Sequence, residues 1–352
     1  MKLTQILLYP LALLYGFVMM IRNLLFDLKI FRPVSFHIPV ISVGNLSFGG
    51  TGKTPHIEYL IHLLKDKFFT GTLSRGYGRK SEGFVIASVK STSKTIGDES
   101  LQYVQKFTTI KVAVDEKRVR GIRKLLETFP GLKVILLDDA YQHRWVQPGL
   151  SLLLTDYHQL YCEDHVFPAG RLREFSSGSK RADVIIVTKT PKIFSPITRR
   201  RIIEDLKPAS HQKIFFSYIR YGNPVPVFHD YPWPEKLSYL LLFTGIANDY
   251  PIREHLERKC SNLHVLKFPD HHQYTSQDLE KIRKDFEDLP TQKKALITTE
   301  KDFMRLQSAE TSNFVKNLPL FYLPIDVEFH QDDKTAFDNL VLNYVGKNQR
   351  DS

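Results

Sequence analysis

The chain of 352 residues carries 49 lysines and arginines against 38 acidic side chains, a formal net charge of +11, and is 42% hydrophobic. Its length allows two medium domains with proper cores and its composition excludes a low-complexity or solenoid chain, while the positive charge asks for an anionic partner: nucleic acid, an acidic membrane surface or a phosphorylated substrate. The two cysteines, Cys162 and Cys260, exclude a disulfide framework and have no histidines at zinc spacing, which fits a reducing cytoplasm.

The first element is apolar. Ile6 to Ile21, ILLYPLALLYGFVMMI, is sixteen residues without a charge, interrupted by Pro10 and Gly16 and followed by Arg22 and LLFDLKIFR. A simple spanning helix needs ~20 residues, yet the run is more apolar than most surface helices. A signal peptide and a buried core helix are the alternatives, the first weakened because no small-residue cleavage site follows. The pattern predicts a membrane-associating helix within residues 1–32, lying monotopically in the inner leaflet. Tyr9 and Tyr15 would sit near the headgroups, with Arg22, Lys29 and Arg32 facing anionic lipid. Length does not separate lying along the bilayer from crossing it.

Next, PVISVG reads as a buried strand and TPHIEYLIHLL as an amphipathic helix, with Ser47, Phe48, Gly49, Gly50, Thr51 and Gly52 between them. Successive backbone N–H groups in such a turn, added to the positive end of a helix dipole, cradle a phosphate that only small residues let approach closely. Lys53 would reach the terminal phosphates and Thr54 would offer its hydroxyl to Mg2+. The G-x-x-x-x-G-K-[ST] pattern is met except at its first glycine, where Ser47 stands, Gly44 being three residues too early.

Strands and helices then alternate to about residue 215, as in a mostly parallel sheet covered on both faces. After the strand FFTGTLSRG comes a loop with Arg75, Tyr77 and Arg79. TIGDESLQYVQKF places Asp98 and Glu99 at a helix start, where carboxylates also simply favour the helix dipole. The apolar strand Val134 to Leu137 runs into Asp138 and Asp139, where the carboxyl end of an open sheet meets its loops. One of the pair is predicted to hold Mg2+; an ordinary helix N-cap is the alternative. LSLLLTD is a further strand, FPAGRLREF offers Arg171 and Arg173, and arginine clusters are often only solvated surface. The strand ADVIIVTKTP ends in Thr188, Lys189, Thr190 and Pro191, without the carboxylate that pairs with guanine in Asn-Lys-x-Asp, so ATP is the expected nucleotide.

QKIFFSYI closes a P-loop domain over residues 33–217. Residues 218–236, dense in proline and aromatics, read as an extended linker, and residues 237–352 as a smaller α/β domain with no P-loop of its own, closing over the first. Its strands are LSYLLLFTG, NLHVLKFP, KKALITTEKD and a last one in LPLFYLPIDVEF, before the closing helix DKTAFDNLVLNYV. In KFPDHHQYT, His271 and His272 lie past a strand end.

The set SVGNLSFGGTGKTP, LSRGYGR, GDES, DDAYQHR, FPAGRLRE, TGIAN, FPDHHQYT and TTEKD, in this order behind an apolar N-terminus, resembles the tetraacyldisaccharide 4'-kinase (lipid A 4'-kinase) family. The chain departs from that pattern at Ala140 and Tyr141, where Gly and Phe are usual, and at Ser100 in place of Pro. The resemblance implies transfer of the γ-phosphate of ATP to the 4'-hydroxyl of a lipid A disaccharide precursor at the cytoplasmic face of the bacterial inner membrane. It implies Asp98 as the group that takes the sugar hydroxyl's proton, His271 as its partner across the domains, and Glu99 beside Asp138 and Asp139 at the metal. It also implies Asn45, Arg75, Tyr77, Gln142, His143 and Arg171 as contacts to the disaccharide, its 1-phosphate or the transferring phosphate. Two rival functions share parts of these features. A regulatory P-loop NTPase would use the same loop, and a nucleic-acid ATPase is disfavoured because the positive charge is dispersed and no such motif stands out. No protein partner is legible.

Overall fold

A computed structural model describes residues 3–228, 231–270, 272–306 and 315–348. Helix α1 (Leu3–Asp27) is followed by β1 (Val40–Asn45), α2 (Lys53–Leu64), β2 (Thr70–Ser74), β3 (Val85–Ile86), α3 (Ser93–Ile96), α4 (Asp98–Lys106), β4 (Lys111–Val114), α5 (Arg118–Thr128), β5 (Val134–Asp138), β6 (Leu150–Asp156), β7 (Val184–Thr188), α6 (Pro196–Leu206) and β8 (Lys213–Tyr221). Strands β1, β5 and β7 are apolar runs buried along their whole length, as both-face coverage requires. Alternation divides their side chains between the faces. Leu136 joins Ile41, Leu152 and Ile57 of α2 on one side, while Ile135 and Leu137 join Ile122 and Leu125 of α5 on the other. The fold is that of a P-loop NTPase, and β1 lies between β5 and β6 with Val43 level with Asp138 and Asn45 with Leu154. The turn after β1 and the turn after β5 therefore open at the same sheet edge, where such folds bind ligands.

The chain continues as β9 (Val225–Pro226), β10 (Leu237–Thr244), α7 (Tyr250–Glu257), β11 (Cys260–Lys267), α8 (Ser276–Glu287), β12 (Lys294–Thr299), α9 (Glu300–Arg305), β13 (Leu320–Leu323), β14 (Ile325–Phe329) and α10 (Gln331–Lys347). Two sheets result, ordered β14-β8-β7-β6-β1-β5-β2-β4-β3 and β11-β10-β12-β13-β9. The expectation that everything after residue 237 forms the smaller domain is corrected for its last stretch. LPLFYLPIDVEF is two strands, not one: Pro324 cannot donate to a ladder, and the chain changes sheets there. Strand β13 pairs with β12, whereas β14 runs antiparallel to β8 of the large sheet. Phe337, Val341 and Val345 of α10 then pack into the core beneath α2. The smaller body is thus an insertion between β8 and β14. The expected linker is shared too, since β8 extends to Tyr221 and β9 pairs with β13.

Helix α1 reaches beyond the apolar run at both ends and lies against the large body along one stripe. Ala12 and Phe26 are buried, Tyr15 donates to the Arg173 carbonyl at 3.0 Å, and Arg22 donates to the Gln142 carbonyl at 2.8 Å. Asn23 donates to Glu174 at 2.6 Å. A Cβ on Gly16 would stand 2.6 Å from the Phe175 ring, so glycine is what allows the close approach. The opposite stripe, with Leu7, Leu11, Leu14, Phe17, Val18 and Ile21, is exposed.

Candidate active site

The turn after β1 is braced from every side. Gly49 and Gly52 take φ of 109° and 89°, conformations that side chains rarely adopt. Asn45 donates to the Thr51 hydroxyl at 2.9 Å, and Thr188, at the end of β7, donates to the Thr51 carbonyl at 2.8 Å. Lys189 reaches the Gly50 carbonyl and pairs with Asp156 at 2.7 Å. His56, fully buried, bridges the Gly52 carbonyl at 2.7 Å and Ser217 at 3.0 Å, and burial pushes its pKa down to about 4, so the bridge is neutral. The segment carrying FPAGRLRE lines the other flank: Phe48 N–H donates to the Arg171 carbonyl and Arg173 N–H to the Leu46 carbonyl, each at 2.7 Å. Ser47, in the place of the missing first glycine, sits in an isolated bridge with Leu172.

Lys53 opens α2, and Thr54 behind it is buried. The Lys53 ammonium lies 3.7 Å from Asp139 and 3.4 Å from the Asn45 side-chain oxygen. The two aspartates after β5 behave differently. Asp139 turns off the strand at φ 47°, and no helix follows it, so the N-cap alternative fails. Burial would raise its pKa, but Lys53 and Arg173, the latter bonded at 3.0 and 3.2 Å, pull it below the ordinary value. Asp138 accepts from the Tyr103 hydroxyl at 2.9 Å, while its other oxygen, Oδ1, is buried and accepts nothing among the described residues. Burial, then the charges of Glu99 and Asp139, push Asp138 up to about 6. A carboxylate so placed is short of a cation.

Helix α4 brings the first-turn carboxylates to this place. Asp98 is buried and accepts from Arg305 of the smaller body at 2.8 Å, and Glu99 lies 3.6 Å from Lys301. Gly97, at φ 82°, lets the 74–79 loop close on the helix start: a Cβ there would be 2.8 Å from the Tyr77 carbonyl oxygen. Ser100, one of the departures from the motif pattern, is bonded to Ser74 at 2.8 Å. Tyr141, another, donates to the Gly178 carbonyl at 2.7 Å.

The remaining expected residues divide into two groups. Gln142 is a brace, donating to the Asn45 carbonyl at 2.9 Å and to Glu174 at 3.2 Å. Half-buried His143 is pushed down to about 4 by burial and then by Arg118, Arg22 and Arg75, so it is neutral. Arg75, Tyr77 and Arg171 are exposed at the rim, Arg171 lying 3.4 Å from Asp164. His271 lies outside the described residues. The sequence reading missed Arg118, whose buried guanidinium spans the carbonyls of Asp138 and Asp139 at 3.5 and 3.4 Å, together with Glu174 and Arg305, and it offered Arg173 beside Arg171 without giving it a role. Arg173 had a signal in FPAGRLRE but could not be ranked against Arg171; Arg118 showed only as one more charge in a basic run.

A braced glycine turn feeding Lys53 and Thr54 into a helix, beside an under-neutralised aspartate on the adjacent strand, defines a P-loop phosphotransferase. The family model described as tetraacyldisaccharide-1-P 4'-kinase matches residues 4–345. The chain is 44% identical to the tetraacyldisaccharide 4'-kinase of Bacteroides thetaiotaomicron, over 98% of this chain and 94% of that one. It is 45% identical to that of Flavobacterium johnsoniae, over 99% of each. A crystal structure of the Aquifex aeolicus LpxK in complex with ATP superimposes with a TM-score of 0.74 at 27% identity, covering 97% of this chain and all of that one. The chain belongs to the tetraacyldisaccharide-1-P 4'-kinase family and is a kinase.

Proposed function

We propose that the protein transfers the γ-phosphoryl group of ATP to the 4'-hydroxyl of a tetraacyldisaccharide 1-phosphate, at the cytoplasmic face of the inner membrane. The observation that carries this reading is the meeting of the loop 47–54, the orphaned Asp138 oxygen and the first turn of α4 at one sheet edge. The N–H groups of Ser47 to Gly52, with Lys53, would hold the phosphates. Mg2+ fits the residues present. Among the described residues no three His, Cys, Asp or Glu cluster around a metal-sized point, yet Mg2+ is commonly bound by one or two carboxylates with phosphate oxygens and waters. Thr54 and Asp138 would hold it, with Glu99 and Asp139 near. Bound there, it neutralises charge across the transferring phosphates.

Asp98 would take the sugar hydroxyl's proton, which leaves late in a loose transition state, so a carboxylate suffices. His271 would tune it. The exposed Arg75, Tyr77 and Arg171 would meet the disaccharide or its 1-phosphate, since a guanidinium fork suits phosphate. Asn45, Gln142 and His143 would act from behind them. Withdrawing acyl chains from a bilayer costs ~0.8 kcal/mol per CH2, so the enzyme must go to its lipid. Helix α1 is long and apolar enough to cross a membrane. Because residues 12–26 are bonded along one stripe to the water-facing body, we infer that this part lies along the leaflet and does not cross it.

Incubating the protein with radiolabelled ATP and a monophosphorylated acyl-disaccharide tests the reaction. Label in the lipid phase is expected; label only as free phosphate would favour a hydrolytic switch.

A further inference from the structure

Two of the motifs, TGIAN at 244–248 and TTEKD at 298–302, lie in the smaller body and have no part in the chemistry above. They converge on one side chain. Asp302 is fully buried; it accepts from the Thr244 hydroxyl at 2.8 Å, the Gly245 N–H at 3.1 Å and the Thr299 hydroxyl at 2.6 Å. So fixed, its Oδ1 accepts from Arg305 Nη1 at 2.9 Å, and the same nitrogen donates to the Gly245 carbonyl at 3.1 Å. The Nε of the same guanidinium points across to the large body, onto Asp98 at 2.8 Å. Its side chain is 1% exposed and that of Asp98 10%.

We propose that Arg305 is a positioning residue for the phosphoryl transfer: held by Asp302 and Gly245, it sets the carboxylate of Asp98 and so ties the geometry of the reacting site to the seating of the smaller body. A mere structural seam would be complete with Asp302 alone, whose charge already balances the guanidinium. The second carboxylate comes from the other body and from the first turn of α4. A planar fork already held by two bonds through Nη1 loses little freedom in making the next from Nε and fixes its partner in direction as well as distance. Replacing it removes this directed bond from Asp98, and misplacement by ~1 Å costs on the order of 100-fold in rate.

The proposal rests on Asp98 being the proton acceptor, and a double-mutant cycle on the full chain, with ATP and dispersed lipid substrate, separates the two ideas. Arg305→Gln is expected to lower kcat by about 10- to 100-fold with the KM for ATP changed less than about threefold, and Arg305→Lys to recover part of the loss. In an Asp98→Asn background, Arg305→Gln should change kcat less than about threefold, because the two act as a unit. If Asp98→Asn alone leaves kcat intact, the reading of Asp98 fails. If Asp98→Asn is impaired and Arg305→Gln multiplies the loss, Asp98 stands and the positioning role is overturned. Should Arg305→Gln not fold, Thr244→Val decides, since it removes only one bond to Asp302: a kcat loss of about fivefold at unchanged KM for ATP supports the proposal, and an unchanged kcat overturns it.

Discussion

Asp138 and Gly97 show how single residues trade stability for geometry. Ionised Asp138 sits buried with one oxygen unbonded among the described residues, a cost that the proposed cation would relieve. Asp138→Asn is therefore expected to cut kcat by more than about 100-fold, while the melting temperature of the ligand-free protein stays level or rises by a few degrees. A melting temperature that falls with activity would contradict the account. Gly97→Ala should instead lower stability, because its Cβ meets the Tyr77 carbonyl oxygen at 2.8 Å and φ is 82°. A loss of about 1–3 kcal/mol in urea unfolding is expected, with α4 displaced. At this scale the sequence was legible where chemistry requires a residue type at a fixed spacing, as for Lys53, Thr54 and the aspartates after β5. It was mute where two residues of one type compete: Arg171 and Arg173 are alike on paper, and only the fold puts Arg173 on Asp139.

Between elements, the cluster of Glu58 on α2, Lys106 on α4 and Glu300 on α9 joins the phosphate-loop helix, the helix of Asp98 and the smaller body. Lys106 lies 2.8 Å from Glu58 and 3.1 Å from Glu300, and Gln102 donates to Glu58 at 2.8 Å. One lysine serves two buried carboxylates. Burial pushes Glu58 up to about 7, with the charge of Glu300 adding and Lys106 opposing. A carboxylate whose folded pKa is raised holds its proton more tightly than the unfolded chain does, so its contribution favours folding below about 4.5 and is lost as pH climbs to about 7. Glu58→Gln should flatten the fall in melting temperature across that window; a curve parallel to the parent's would place the proton elsewhere. None of this was visible in the sequence, where Glu58 and Lys106 are polar residues on helix faces 48 positions apart. Short apolar runs between turn signals revealed most strands, but not that Pro324 divides the last run between two sheets, because such a run says where a strand lies and nothing about its partner.

For the molecule as a whole, helix α1 presents two stripes, one packed on the large body and one exposed, and the exposed one is the proposed membrane contact. Its outward stripe is apolar, with Leu7 72%, Leu11 57%, Leu14 63% and Val18 57% exposed. Replacing these four by glutamine should abolish sedimentation with anionic phospholipid vesicles and cut turnover of vesicle-borne lipid by ten-fold or more on the order-of-magnitude scale of lost apolar burial. Turnover of detergent-dispersed lipid should stay within about threefold, because no group at the site is touched. Continued sedimentation would assign membrane attachment to another surface. The inward stripe has a practical consequence for inhibitor work. Tyr15, Arg22 and Asn23 bond directly to Arg173, Gln142 and Glu174, so a form truncated for convenient handling would lose part of the wall behind the proposed site. Compounds selected against such a form would be fitted to a hollow that the intact enzyme does not have; repainting the outward residues, with the helix kept, gives a faithful target.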